Sequence, residues 1–186
     1  MTQGKKPFAV GLIGRSGSGK TTLSEKVLAE LVRRGRRVAA IKDAHHGVDL
    51  DRPGKDTWRY REAGASRVIL RTAERWAVMS ETPEGPVSIE ELISLAGEAD
   101  IILIEGFKHE GSFPRIEVRR REAANEPPLA ERGGLQNPPV AVATDFDEPG
   151  FEGIPRLSLN DPQAVADFIE DLMSAETARE IRRQSF

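Results

Sequence analysis

The eight residues from Gly14 to Thr21 constrain this chain more than any other stretch of its sequence. They read GRSGSGKT and match the pattern G-x-x-x-x-G-K-[ST]. The apolar run 8–13 before them predicts a strand, and the leucine and valine spacing over 22–34 predicts a helix after them. In a strand–loop–helix unit of this kind, backbone N–H groups and the positive end of the helix dipole hold phosphate oxygens. The stretch therefore predicts a phosphate-binding loop, and with it a nucleotide-binding protein.

Individual residues of this loop have different expected roles. Lys20 is expected to reach the β- and γ-phosphates and to act as a catalytic residue, and the Thr21 hydroxyl is expected to bind Mg²⁺. Arg15 has two open interpretations: a cationic finger that reaches a nucleotide, in its own subunit or in a partner, or a solvated side chain. The residues predicted to bind nucleotide here are Gly14, Arg15, Ser16, Gly17, Ser18, Gly19, Lys20, Thr21 and Thr22.

Composition narrows the class of protein. The chain has 186 residues, of which 38% are hydrophobic and 31% charged, and its net charge is −3. A chain of this charge has no basic field to recruit nucleic acid or an acidic membrane, so neither partner is expected. It contains no cysteine, which excludes disulfides and thiolate metal sites, and no apolar stretch is long enough to span a membrane. Since the start from Met1 to Lys6 is polar, we expect a cytoplasmic protein without a signal peptide.

Strand and helix patterns alternate along the chain, which predicts an α/β fold of the P-loop NTPase type. The expected architecture is a three-layer sandwich in which a largely parallel sheet carries helices on both faces. Two short apolar runs, 67–71 and 75–79, fit either a hairpin or consecutive strands. One nucleotide-binding domain is expected over residues 1–174, with a long mobile loop at about 120–139 and a charged C-terminal tail at 175–186. The other predicted strands are 8–13, 37–42, 100–105, 115–119 and 140–144, and the predicted helices are 22–34, 57–63, 88–96 and 162–173.

Polar residues follow several of the predicted strands, at the edge of a parallel sheet where ligands bind. Gly14, Lys42, Glu105 and Thr144 all lie at or just after such strand ends. Glu105 follows the most apolar run of the chain and is the best candidate for the acidic residue that holds Mg²⁺, directly or through water. Thr21 and Glu105 are therefore the predicted metal-binding residues.

The loop after the second predicted strand carries further candidates. Asp49 and Asp51 are predicted catalytic residues, which would position the attacking water or support the metal ion. His45 and His46 have three open interpretations: a surface turn, a contact with phosphate or substrate, or, with the neighbouring carboxylates, a structural zinc site.

Recognition of the base has only a faint signal in the sequence. A guanine-specific site usually carries Asn-Lys-x-Asp after a late strand, whereas this chain has Thr144-Asp145-Phe146-Asp147 at that place. Either Asp145 or Asp147 accepts the N1–H and N2–H groups of guanine, or the stretch is a solvated acidic loop. The residues themselves do not distinguish GTP from ATP.

Four blocks of the sequence resemble the molybdopterin-guanine dinucleotide biosynthesis protein B family, a set of small P-loop GTP-binding proteins that assist molybdenum-cofactor maturation. The most specific block is Asp51-Arg52-Pro53-Gly54-Lys55-Asp56, because P-loop proteins in general have no structural reason to carry it. The blocks are 14–22, 41–46, 51–58 with 62–65, and 104–108.

The resemblance implies a protein that binds GTP and Mg²⁺, hydrolyses GTP weakly, and forms a homodimer in which part of the sheet is shared between subunits. It also implies a partnership with the guanylyltransferase that joins GMP to molybdopterin, with molybdopterin or its guanine dinucleotide as a further ligand. It places phosphate and metal on Gly17, Gly19, Lys20 and Thr21, and Mg²⁺ on Glu105. The residues that it adds to a nucleotide or pterin pocket are His46, Asp49, Asp51, Lys55 and Asp56.

Two other functions fit the same residues. A small-molecule kinase that uses ATP needs a lid of arginines, which Arg119-Arg120-Arg121 would supply beside the long loop. A pure binding module would hydrolyse nucleotide only incidentally. Because no glutamine or other committed base is evident to activate water, hydrolysis by the isolated chain is expected to be slow.

Overall fold

The computed structural model describes residues 6–44, 51–123, 126–129, 135, 137–147, 151 and 153–184. The chain divides into two compact units. The larger unit comprises residues 1–43 and 89–186, and the smaller unit comprises residues 44–88. The predicted phosphate-binding loop belongs to the larger unit.

The helices and strands follow the predicted order. Those of the larger unit are β1 Phe8–Ile13, α1 Lys20–Arg33, β2 Val38–Lys42, α3 Ile89–Leu95, β5 Ile101–Glu105, β6 Arg115–Arg119, β7 Ala141–Thr144, β8 Arg156–Ser158 and α4 Pro162–Gln184, with a single 3₁₀ turn at Arg121–Ala123 after β6. Those of the smaller unit are α2 Asp56–Glu62, β3 Arg67–Arg71 and β4 Trp76–Ser80.

Six strands of the larger unit form one sheet, in which every pair of neighbours is parallel. The order across the sheet is β2-β5-β1-β6-β7-β8, so β1, which leads into the predicted loop, lies between β5 and β6. In the register of the sheet, Glu105 lies beside Leu12 of β1 and Lys42 of β2. The carboxyl ends of these strands therefore meet at one edge, where ligands of α/β sheets bind.

Alternate residues of β5 face opposite sides of the sheet and build two cores. Ile101 and Leu103 belong to a cluster with the apolar faces of α1 and α4. Ile102 and Ile104 belong to a second cluster with Ile89 of α3. A strand that is buried on both faces is continuously apolar, as this one is. The arrangement confirms the predicted three-layer α/β sandwich.

The smaller unit consists of α2 and a two-stranded antiparallel sheet. β3 and β4 form a hairpin in which Ile69 lies opposite Val78, so of the two readings of these runs the hairpin is the right one. The Thr72 side chain closes the turn, because its hydroxyl oxygen accepts a hydrogen bond from the Arg75 N–H at 3.1 Å. Ile69 and Trp76 are 67% and 71% exposed. One face of the hairpin therefore presents apolar side chains to solvent.

Two elements of the larger unit differ from the sequence-based expectation. α4 continues to Gln184, so the residues from Ala175 onward, which the sequence predicts as a charged tail, are helical as far as the structure describes them. Their alanine, glutamate and arginine content favours a helix even where no face is buried. The short strand β8 has no counterpart in the predicted elements, because three residues are too few to show a period. Among the described residues, no helix combines the length and the apolar character needed to cross a lipid bilayer.

Candidate phosphate-binding site

The loop between β1 and α1 has a conformation that its glycines allow. Gly17 and Gly19 have φ angles of 76° and 88°, in the left-handed region. Gly14 lies so close to β6 that a Cβ atom there would be 2.5 Å from the carbonyl oxygen of Val118. α1 begins at Lys20 and has no acidic residue in its first turn. The unpaired N–H groups and the dipole of this helix end therefore favour an anion.

A cleft of about 410 Å³ opens beside the loop. The charged residues among its described lining are three cations, Lys20, Lys42 and Arg120, and one carboxylate, Glu105. An excess of positive charge in a polar cleft favours a polyanionic ligand. The other lining residues are Ser16, Gly17, Gly19, Thr21 and Thr22.

Lys20 extends across the loop, and its Nζ donates a hydrogen bond to the carbonyl oxygen of Arg15 at 2.6 Å. The pKa of Lys20 is lowered, chiefly because burial disfavours its charged form. The carboxylate of Glu105 opposes this shift, whereas the nearby Lys108 and Lys42 add to it. The ammonium group of Lys20 is thus partly desolvated and lies near other cations. A phosphate oxygen would stabilise it, which agrees with the predicted ligand role.

The two predicted metal-binding residues lie in contact. Thr21 Oγ1 donates to Glu105 Oε1 at 2.8 Å. Lys42 Nζ, from the neighbouring strand β2, lies 3.0 Å from Glu105 Oε1 and 3.1 Å from Thr21 Oγ1. The sequence places Lys42 at the ligand-binding edge of the sheet but assigns it no contact with Glu105. The parallel register, which sets Lys42 beside Glu105, brings it into the site.

Arg120 enters the site from the opposite side of β1. It follows the last residue of β6, and its guanidinium group lies against the backbone of Gly19. A Cβ atom on Gly19 would be 2.6 Å from Arg120 Nε. The sequence indicated Arg120 only as a member of an arginine lid, because nothing local predicts its contact with the loop.

Arg15 is not among the described residues that line this cleft. Its guanidinium forms an ion pair with Glu126 and donates to the carbonyl oxygen of Pro127 at 3.2 Å. These two residues belong to the stretch that the sequence predicts as a long loop. The structure thus shows Arg15 holding this stretch, while its predicted contact with nucleotide stays a prediction.

The charged residues of β6 are buried, although the sequence shows only a polar–apolar alternation. Arg115, Glu117 and Arg119 are 0%, 1% and 2% exposed. Their partners are largely backbone groups of adjoining loops: Arg115 donates to the Gly111 carbonyl at 2.9 Å, and Glu117 accepts from the Leu129 N–H at 3.1 Å. Such bonds offset part of the cost of burying these charges, although Nε and Nη1 of Arg115 have no hydrogen-bond partner among the described residues.

The candidates from the loop after β2 fall partly outside the described residues. His45, His46 and Asp49 lie there, and the zinc and phosphate interpretations of the histidines stay open with them. Asp51 belongs to the smaller unit, where its carboxylate accepts hydrogen bonds from Thr57 Oγ1 and Arg61 Nε, both at 2.8 Å. In that unit Asp51 holds the first turns of α2, and its catalytic role stays a prediction.

Lys55 and Asp56 also belong to the smaller unit. Lys55 occupies the N-cap position of α2, and Asp56 is the first residue of that helix. Both side chains are exposed, and their place in a nucleotide or pterin pocket stays a prediction.

Asp145 lies beyond the end of β7. One of its carboxylate oxygens accepts a hydrogen bond from the backbone N–H of Arg121 at 2.9 Å. Asp147, the alternative candidate for guanine, forms an ion pair with Arg156. The bond from Arg121 ties Asp145 to the residue after Arg120, while its contact with a base stays a prediction.

Comparison with known proteins gives consistent matches. The family model described as molybdopterin guanine dinucleotide synthesis protein B matches residues 9–145. A molybdopterin-guanine dinucleotide biosynthesis adapter protein of Haemophilus influenzae is 44% identical over 164 residues, which cover 87% of either chain. The Escherichia coli protein of the same name is 38% identical, over 87% of this chain and 90% of its own.

Solved structures agree with the fold. A molybdopterin-guanine biosynthesis protein B structure has a TM-score of 0.68 at 25% identity, over 90% of this chain and 99% of its own. A homologue of the MobB protein from Bacillus stearothermophilus has a TM-score of 0.64 at 23% identity, over 90% of this chain and 98% of its own. The second likeness concerns the fold alone.

Proposed function

The chain belongs to the molybdopterin guanine dinucleotide synthesis protein B family, and from that premise we propose that it is a GTP-binding adapter of molybdopterin guanine dinucleotide biosynthesis with weak, Mg²⁺-dependent GTPase activity. The observation that carries the nucleotide part of this proposal is the contact between the phosphate-binding loop and the end of β5. Thr21 Oγ1 lies 2.8 Å from a Glu105 carboxylate oxygen, in a cleft with an excess of positive charge.

Mg²⁺ fits the donors at this edge of the sheet. Thr21 supplies a hydroxyl oxygen and Glu105 a carboxylate, and Mg²⁺ prefers such hard oxygen ligands. It usually takes only one or two carboxylates from a protein and completes its shell with water and substrate phosphates. When bound, the ion would neutralise charge on the β- and γ-phosphates.

Slow hydrolysis is supported by the residues that line the cleft. Among those that the structure describes, Glu105 is the only carboxylate, and it already accepts hydrogen bonds from Thr21 and Lys42. A carboxylate held in this way is poorly suited to activate water. Asp49 and Asp51 remain the candidates for that step, and a partner protein that completes the site would accelerate it.

The partner that we propose is the guanylyltransferase that joins GMP to molybdopterin. An adapter that binds GTP would serve this enzyme by binding or presenting a guanine nucleotide, and molybdopterin or its guanine dinucleotide would be the further ligand. The family names of the relatives support the pathway, and the identity of the partner enzyme is part of the proposal.

A homodimer is the assembly that we propose, with the β3–β4 hairpin as the contact surface. Each strand of this hairpin has one neighbour among the described residues, so each leaves an open edge. Ile69, Trp76 and Val78 share one face of the hairpin and are exposed. An open edge with apolar side chains suits pairing with a second copy of the same surface.

Calorimetric titration tests the nucleotide part. The chain with Mg²⁺ is titrated with GTP and with ATP, and the titrations are repeated with Lys20→Ala. We expect GTP to bind more tightly than ATP, and Lys20→Ala to weaken binding while its thermal unfolding stays close to that of the wild type. Lys26→Ala is the matched control, because Lys26 is an exposed lysine of the same helix.

Three outcomes would count against the proposal. Preference for ATP would favour the small-molecule kinase. Equal effects of Lys20→Ala and Lys26→Ala would remove the ligand role of Lys20. Turnover of the isolated chain at about 1–100 s⁻¹, the range typical of kinases, would contradict the weak GTPase.

A further inference from the structure

Arg120 has no place in the function proposed so far, yet its side chain is built into the site. The atoms of its guanidinium group lie against Gly19, where a Cβ atom would be 2.6 Å from Nε and 3.0 Å from Nη2. Only glycine at this position leaves room for the guanidinium. Arg120 Nε is buried and has no hydrogen-bond partner within the part of the chain that the structure describes.

The backbone on both sides of Arg120 is fixed. Arg119 pairs with Thr144 of β7, and its side chain donates to the carbonyl oxygen of Glu126 at 2.6 Å. The backbone N–H of Arg121 donates to Asp145 at 2.9 Å. The backbone at Arg120 is therefore held in place, and the packing of its guanidinium group against Gly19 restricts the side chain, which reduces the conformational entropy lost on binding a ligand.

The position of Arg120 in the sheet indicates which part of a nucleotide it reaches. Thr21, Glu105 and Lys42 lie on the β5 side of β1, and the metal-bridged β- and γ-oxygens belong at that end. Arg120 follows β6, on the opposite side of β1. A phosphate chain bound along the loop would therefore meet Arg120 away from its terminal γ-phosphate.

We propose that Arg120 binds the phosphates that GDP and GTP share, on the nucleoside side of the metal-bound γ-phosphate. This inference rests on the proposed nucleotide binding. The guanidinium of Arg120 donates to phosphate oxygens in a fixed, planar geometry that a lysine does not reproduce. It acts as a third cation of the site beside Lys20 and Lys42, on the opposite side of β1 from Lys42.

Titration with GDP and with GTP tests the inference. Arg120→Ala is expected to weaken both by a similar factor of about tenfold or more, the usual effect of losing a hydrogen bond to a charged group. Arg120→Lys is expected to recover part of the loss for both nucleotides. Arg121→Ala is the matched control, since it removes the same charge from the next residue, whose exposed side chain is not among the lining residues of the cleft. It should bind both nucleotides as the wild type does.

The outcomes separate this inference from the proposed function. A wild type that binds neither nucleotide overturns both. A wild type that binds, with an Arg120→Ala variant that binds equally well, overturns only the role of Arg120. A loss confined to GTP places Arg120 on the γ-phosphate and overturns the assignment. Equal losses in Arg120→Ala and Arg121→Ala also overturn it, because the effect is then not specific to Arg120. If Arg120→Ala unfolds at a markedly lower temperature, Arg120→Gln, which keeps most of the side chain, is measured against the same expectations.

Discussion

At the scale of single residues, Glu105 faces two donors at the edge of the sheet. Its carboxylate accepts from Thr21 Oγ1 at 2.8 Å and from Lys42 Nζ at 3.0 Å. Glu105→Gln keeps the shape of the side chain and removes its charge. We expect this variant to reduce the Mg²⁺-dependent gain in GTP affinity about tenfold or more, because the cleft loses the only carboxylate among its described lining residues, which is the proposed ligand of the ion.

The measurement is a GTP titration repeated over a series of Mg²⁺ concentrations. Asp100→Asn is the control, since Asp100 lies just before the same strand at the opposite edge of the sheet. If Glu105→Gln binds GTP with unchanged Mg²⁺ dependence, another residue holds the ion.

Gly106, the residue after Glu105, allows a separate test of the site's backbone. It has a φ angle of 98°, and a Cβ atom there would lie 2.7 Å from the Cβ of Asp43. Gly106→Ala is expected to reduce the free energy of unfolding by about 1–3 kcal/mol, because backbone strain and a close contact add together. Gly97→Ala is the control, since Gly97 has a φ angle of 70° with nothing within 4 Å. Denaturant unfolding that gives equal losses for both variants would show that the contact with Asp43 contributes nothing.

The sequence predicts the residues whose roles are local. Lys20 and Thr21 follow from the spacing of the loop, and Glu105 follows from its place after an apolar strand. The sequence places Lys42 at the same edge of the sheet, but it predicts neither its contact with Glu105 nor that of Arg120 with Gly19, since each contact exists only because a particular strand lies beside another. Strand order is a long-range property that no local spacing encodes.

At the scale of elements, charged residues join α1 to α4. Glu30 accepts from Arg33 Nη2 and Arg34 Nε, both at 2.7 Å. Arg34 also reaches Asp167 at 2.6 Å and Glu170 at 2.8 Å on α4. Hydrogen bonds from Arg33 and Arg34 lower the pKa of Glu30 from its ordinary value of 4.5 to about 2. The two helices are thus joined by ion pairs above their shared apolar core.

This lowered pKa predicts a pH dependence of stability. The ionised carboxylate of Glu30 stabilises the folded chain at pH values above 4.5, and this stabilisation is lost as pH falls towards about 2. Glu30→Gln should therefore lower the midpoint of thermal unfolding at pH 7 and flatten its decline on acidification. Glu25→Gln, at an exposed position of the same helix, is the control. Parallel decline of the midpoints in wild type and Glu30→Gln between pH 5 and pH 3 would contradict the prediction.

Helices and strands whose sequences show a full hydrophobic period are predictable, and those whose sequences lack such a period are not. β5 and α1 each show a clear pattern, and the structure has both within two residues of the predicted bounds. The hairpin remained ambiguous because its turn, Thr72-Ala73-Glu74-Arg75, lacks the glycine or asparagine that marks tight turns. α4 extends beyond its predicted end because its exposed last turns have helical propensity but no apolar stripe.

At the scale of the whole molecule, the two units present different kinds of surface. The larger unit has a polar, cationic cleft at the edge of its sheet. The smaller unit has exposed apolar side chains on a hairpin with open edges, among them Ile69 and Trp76 at 67% and 71% exposure. Contiguous apolar side chains on an open sheet edge are rare in monomers and typical of interfaces. The sequence shows these residues as strand, but it does not show that their side chains are exposed.

The last prediction concerns this hairpin. We expect the wild type to sediment as a dimer and Ile69→Lys to weaken dimerisation about tenfold or more, because a lysine at the centre of an apolar contact must lose its hydration. Leu95→Lys is the matched control, since Leu95 is 73% exposed on α3 of the larger unit and outside the hairpin. Sedimentation velocity over a range of concentrations measures both variants. A monomeric wild type at every concentration, or equal weakening by the two substitutions, would contradict the hairpin interface. Selective dissociation of Ile69→Lys with GTP binding retained would instead show that dimerisation and nucleotide binding depend on different residues of the chain.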